Sequence, residues 1–155
     1  QQLIGLLLFL KHLTEINIMF SKSILWPTAI VFLFFYIVPF LFFYANKACF
    51  EEYVLIDVNR PDSEFKIGLL TFGVLLMSYA FVHVFQKWSG GVFTNKNGFV
   101  FGLWVSLLLV ISMSLIRYAT QAAFEAPFYI LDGIFWIAMY AIGGVLAAIL
   151  SRKAS

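Results

Sequence analysis

Apolar positions in this chain come in long unbroken runs rather than in alternation. Four runs stand out, over residues 24–44, 67–85, 98–116 and 128–150. At 1.5 Å per residue, each reaches across about 30 Å of hydrocarbon as a helix. None alternates with period two, so the pattern predicts helices and not barrel strands. The expected fold is all-α, a four-helix transmembrane bundle over residues 24–150 with a basic tail at 151–155. Residues 1–23 fit less simply. Their apolar stretch "LIGLLLFL" is too short to span, and Lys11, His12 and Glu15 follow it. The segment reads as an interfacial helix, or as an extension upstream of a natural start at Met19.

The polar breaks differ in character. Residues 45–66 form the largest, in which "EYVLIDV" has strand-like composition and "NRPDSE" is a turn leading to a helix start at Asp62 or Ser63. A lone short strand is unstable, so this loop is expected to pack on the helix ends or on a partner. The break "QKWSGGVFTNKNG" is a compact turn rich in Gly and Asn.

Composition narrows the class. The chain has 155 residues, 63% of them apolar and only 12% charged, more apolar than a soluble domain of this size can hide. An integral membrane protein with little mass outside the bilayer is expected. A net charge of +2 with no basic run gives no support for nucleic acid as a partner. The single cysteine, Cys49, excludes an intrachain disulfide and a cysteine metal cluster. With the N-terminus inside, the inner segments hold Lys11, Lys22, Lys87, Lys96, Arg152 and Lys153, against Lys47, Arg60, Lys66 and Arg117 outside. That excess predicts both termini on the cytoplasmic side.

Small residues mark where helices meet. The third run carries Gly98, Gly102 and Ser106 at four-residue spacing, with Ser114 further along, and the fourth carries Gly143, Gly144, Ala147 and Ala148. Such stripes let backbones approach, which predicts close packing of the third and fourth helices or, alternatively, dimerisation. The first run has no glycine and is crowded with aromatics from Phe32 to Tyr44. It reads as a bulky lipid-facing helix or as a surface for another membrane subunit. Pro27 is expected in its first turn, and Pro39 is expected to kink its outer third.

Few residues carry candidate chemistry. His83, near the inner end of the second run, is a candidate axial ligand for haem or a chlorophyll-type pigment. The only other histidine, His12, lies outside the spans, so bis-histidine ligation has no second ligand. The plainer reading of His83 is a hydrogen bond to a neighbouring helix or to interfacial water. Cys49 has no histidine positioned to activate it. The acids of residues 51–64 lack the spacing of a calcium loop or a hydrolase pair. No metal site and no catalytic constellation is expected. Arg117 and Asp132 remain, at the outer boundaries of the third and fourth runs. They are expected to form a salt bridge clipping two antiparallel helices, with Thr120 and Gln121 as further partners. The alternative is a proton or substrate site at the outer mouth.

The segments "FVFGLWVSLLLVISMSLIRYATQ" and "LDGIFWIAMYAIGGVLAAIL" resemble small four-helix bacterial membrane proteins of unknown function, the group called DUF1761. The likeness lies in Gly102 within "FGL", Tyr118 at the outer helix end, and a final helix with Trp136 and the Gly143–Gly144 pair before an Ala-rich end. It covers about half the chain, and it implies four spans and a bacterial source but no activity and no site residues. The expected function is a non-catalytic accessory or scaffolding subunit of a larger complex in the bacterial inner membrane. Its expected partners are the lipid bilayer and other membrane subunits or further copies of itself. A small oligomeric transporter using Arg117 and Asp132, and a haem- or pigment-binding subunit through His83, are the rivals.

Overall fold

The computed structural model describes residues 22–56 and 64–154. Among these the fold is all-helical, with four helices long and apolar enough to cross a membrane. They are α1 (Lys22–Ala45), α3 (Ile67–Trp88), α4 (Asn95–Thr120) and α5 (Ala126–Ala154), with a short α2 (Lys47–Glu51) after the first. The N-terminal interfacial segment lies outside the described residues. So does the helix start expected at Asp62 or Ser63, and α3 is helical from Ile67.

Each helix outruns its apolar run, because hydropathy marks the hydrocarbon part while capping and charge extend the ends. Thr94 caps α4, its Oγ1 accepting from the Asn97 amide at 3.1 Å. Gly90 and Gly91, at φ of +58° and +86°, supply the left-handed turn before it. The basic tail is the last turn of α5, where Arg152 and Lys153 face the negative end of the helix dipole. Pro127 fits the first turn of α5, where its missing amide is not needed. Pro27 does not hold the first-turn position expected for it: α1 is already helical at Lys22, so Pro27 lies inside the helix.

Short links make the spans antiparallel. One end of the bundle, the terminal end, carries Lys22, the 89–94 turn and Ala154; the other, the loop end, carries α2 and the 121–125 link. Neighbours run in the order α3, α1, α5, α4.

The closest seam joins α4 to α5. A Cβ added at Gly98 would overlap the Gly144 carbonyl, one at Gly144 would overlap the Gly98 carbonyl, and one at Gly102 would overlap the Tyr140 carbonyl. Gly98 also sits against Ala148, and Ser106 is fully buried further along the same stripe. Gly143 serves a different neighbour: a Cβ there would meet Phe35 Cζ of α1 at 2.7 Å. Adjacent glycines thus admit two helices on two faces of α5.

Aromatic rings fill the middle of the bundle. Phe35 contacts Phe81 and Tyr140 with centroids 5.4 Å apart, and Phe81 meets Phe101 at 5.0 Å. Gln86 closes the terminal end, its Nε2 donating to the Ser23 carbonyl at 2.8 Å and to Ser151 Oγ at 2.9 Å. One side chain so ties α1, α3 and α5. At the loop end, the first and last links pair: Val54 bridges Phe124, with the Leu55 amide donating to the Ala123 carbonyl and the Glu125 amide to that of Tyr53. The strand-like composition therefore yields a single bridge. Beneath it Phe50 is buried against Phe42, Phe43 and Phe128, and Phe42 stacks on Phe135 at 3.9 Å. Much of the aromatic surface of α1 is turned inward, while Phe40, Leu41 and Tyr44 stay exposed.

Candidate functional site

Midway along α4 the helix changes pitch. Residues Leu107–Ile111 form a π-helical turn, and Ser112 Oγ donates to the Leu107 carbonyl five residues back at 2.9 Å. The stripe Gly98, Gly102, Ser106 advances four residues per step, which in an α-helix drifts by about 40° each time. The wider π turn takes up that drift and keeps Val110 and Ser114 on the side facing α5. Past it α4 loses its close partner: Leu115 through Thr120 are all exposed.

The looser seam leaves a cavity on each side. One, of about 350 Å³, is an apolar crevice between α4 and α5 that includes Val110, Ser114, Tyr118, Tyr129 and Gly133. The Tyr129 hydroxyl is buried with no hydrogen-bond partner among the described residues. The other, of about 310 Å³, is lined by Met77 of α3, by Leu109, Met113, Ser114 and Arg117 of α4, and by Asp132, Trp136 and Tyr140 of α5. Leu109, Met113 and Arg117 are exposed, so this cavity opens on the flank of the bundle between α3 and α4. Its base is closed by the Tyr140 hydroxyl donating to Met77 sulfur at 3.4 Å, and below that by Phe81 against Phe101.

The second cavity is the candidate site, because it gathers both charges singled out in the sequence. Asp132 is half-buried, with its carboxylate hydrogen-bonded to the Trp136 side chain and under the electrostatic pull of Arg117. No ion pair within 4.0 Å joins the two among the described residues; the one formed there is Lys47 with Glu51 on α2. The partner at the carboxylate is thus an indole N–H from the next turn of the same helix. Thr120 Oγ1 donates to the Ile116 carbonyl of its own helix. Trp136 and Tyr140 were not singled out by the sequence reasoning as neighbours of Asp132. Their signal was present in the four-residue spacing Asp132, Trp136, Tyr140, which puts all three on one helix face. Nothing in the sequence marked the π turn.

His83 lines neither of these cavities. Its ring stacks on Tyr79, one turn earlier, with centroids 5.9 Å apart, and its Nδ1 is buried without a hydrogen-bond partner among the described residues. Cys49 is exposed on α2. Among the described residues no group of three His, Cys, Asp or Glu side chains is placed to hold a metal ion.

The arrangement can bind rather than react: a cation, an oriented carboxylate and three ring or thioether walls, with no nucleophile poised beside a base. No protein-family model, no curated protein and no solved structure matches this chain, and the likeness to the DUF1761 group rests on the quoted residues alone.

Proposed function

We propose that this is a non-catalytic integral membrane protein of the bacterial inner membrane, acting as an accessory or scaffolding subunit within a larger assembly, with both termini in the cytoplasm. The observation that carries the reading is the contrast between the two halves of the bundle. The terminal half is sealed by glycine contacts and aromatic rings, whereas the loop-end half is open on its flank. A bundle open sideways and closed below is suited to holding a neighbour in the membrane, not to passing a solute through it. Large apolar side chains exposed along α3 and α4, such as Leu69, Phe72, Trp104 and Leu108, give it a broad surface for lipid or other helices. Purification of the full chain in mild detergent tests this reading. Stoichiometric co-purification of another membrane protein is expected, and a chain that runs alone as a monomer overturns it.

The transporter reading has one observation in its favour, the convergence of Arg117 and Asp132 on one cavity. It requires the Tyr140, Met77, Phe81 and Phe101 plug to open. Proton or ion flux into proteoliposomes that disappears on Asp132→Asn is the result that favours it.

A further inference from the structure

We infer that the flank cavity between α3, α4 and α5 is a binding site for a zwitterion carrying an ammonium and a phosphate group, presented by a membrane phospholipid of the loop-end leaflet. The inference deepens the reading of this cavity as a holding site, and it stands or falls by lipid content rather than by any protein partner.

Charge comes first. Arg117 and Asp132 line the same walls yet do not close on one another. Opposite charges held apart at the edge of hydrocarbon are costly unless something completes both. A ligand with a cation and an anion a few bonds apart does so, its phosphate accepting from the Arg117 guanidinium and its ammonium donating to Asp132. The indole of Trp136, bonded to the carboxylate, fixes the direction in which Asp132 accepts.

Depth agrees. The 26 residues of α4 and 29 of α5 make helices about 39 and 43 Å long, which overhang a 30 Å hydrocarbon slab by about 5 Å or more at each end. Arg117 lies three residues from the end of α4 and Asp132 six residues into α5, so both sit close to the boundary where headgroups meet chains.

Access favours a lipid over a soluble molecule. The mouth of the cavity is flanked by Leu109 and Met113, exposed apolar side chains of a membrane-spanning helix, with Met77 on the facing wall. A headgroup entering from the bilayer keeps its acyl chains on those residues without leaving the membrane. The volume of about 310 Å³ suits a headgroup and excludes a folded protein segment.

The test uses the full chain, purified in mild detergent and analysed by native mass spectrometry against phosphatidylethanolamine and phosphatidylglycerol. The wild-type protein is expected to retain phosphatidylethanolamine over phosphatidylglycerol by about tenfold, the ratio that one lost charge contact of this kind gives. Asp132→Asn, which leaves a neutral acceptor for Trp136, is expected to erase that preference while phosphatidylglycerol still binds. Arg117→Gln is expected to weaken both lipids. Equal retention of the two lipids by the wild-type protein overturns the inference whether or not the variants fold. So does a preference unchanged in Asp132→Asn. Soluble glycerophosphoethanolamine is the second arm. If it competes the lipid away at equal concentration, the zwitterion chemistry stands but its membrane source is overturned.

Discussion

At the residue scale the decisive positions are glycines, and they are not alike. Gly102 faces backbone, whereas Gly73 has nothing within 4 Å of where a side chain would begin. Gly102→Ala is therefore expected to push α4 off α5 and cost about 1–3 kcal/mol, as overpacking does. Gly73→Ala is expected to be neutral or to stabilise by up to about 1 kcal/mol, through helix propensity alone. Reversible unfolding of both variants in detergent checks the pair, and equal destabilisation would contradict the packing described for Gly102. The two glycines are indistinguishable from their local sequence, because what separates them is the helix on the other side. Asp132 follows similar logic. Its position near the end of an apolar run was plain in the sequence, but its hydrogen bond to Trp136 and its distance from Arg117 depend on how α4 and α5 diverge.

At the element scale two devices hold the helices in place. Gln86 reaches both α1 and α5 from α3. Gln86→Leu keeps the volume but removes both bonds, and buried polar links between membrane helices are worth about 0.6–2 kcal/mol each. A loss of about 1–3 kcal/mol in the same unfolding assay is expected, together with faster proteolysis near Ser151. The second device is the π turn of α4. Deleting Leu109 returns the segment to α-helical pitch and rotates everything after it by about 100°. Arg117 then leaves the cavity while Gly98, Gly102 and Ser106 keep their seam. The expected result is a folded protein, by thermal melt, in which a cysteine at position 117 no longer cross-links to one at position 132 in a Cys49→Ser background.

At the scale of the whole molecule the loop end is a built structure and not a slack connection. The bridge between Val54 and Phe124 joins segments from opposite ends of the chain order, above the Phe50 cluster. Cysteines at 54 and 124, again with Cys49→Ser, are expected to oxidise to a disulfide that shifts mobility on a non-reducing gel. The loop end also reports orientation. Cys49 is exposed there, so with both termini in the cytoplasm a membrane-impermeant maleimide should label it on intact cells. Labelling seen only after permeabilisation would reverse the topology.

The residues of this chain determined the solvent by themselves. Runs of about 20 apolar residues cannot be hidden in water, and in hydrocarbon they satisfy their backbone only as helices, so four spans follow from hydropathy and length. The small-residue stripes were equally plain, since glycine at four-residue spacing is a local pattern. Which helix each stripe meets was not local. Gly143 and Gly144 are neighbours in sequence and face α1 and α4 respectively, a division set by where three helices cross. The same holds for the flank cavity. Whether Arg117 and Asp132 touch or stand apart depends on one extra residue in a turn of α4 and on the splay that follows, and no run of hydropathy records a distance between helices.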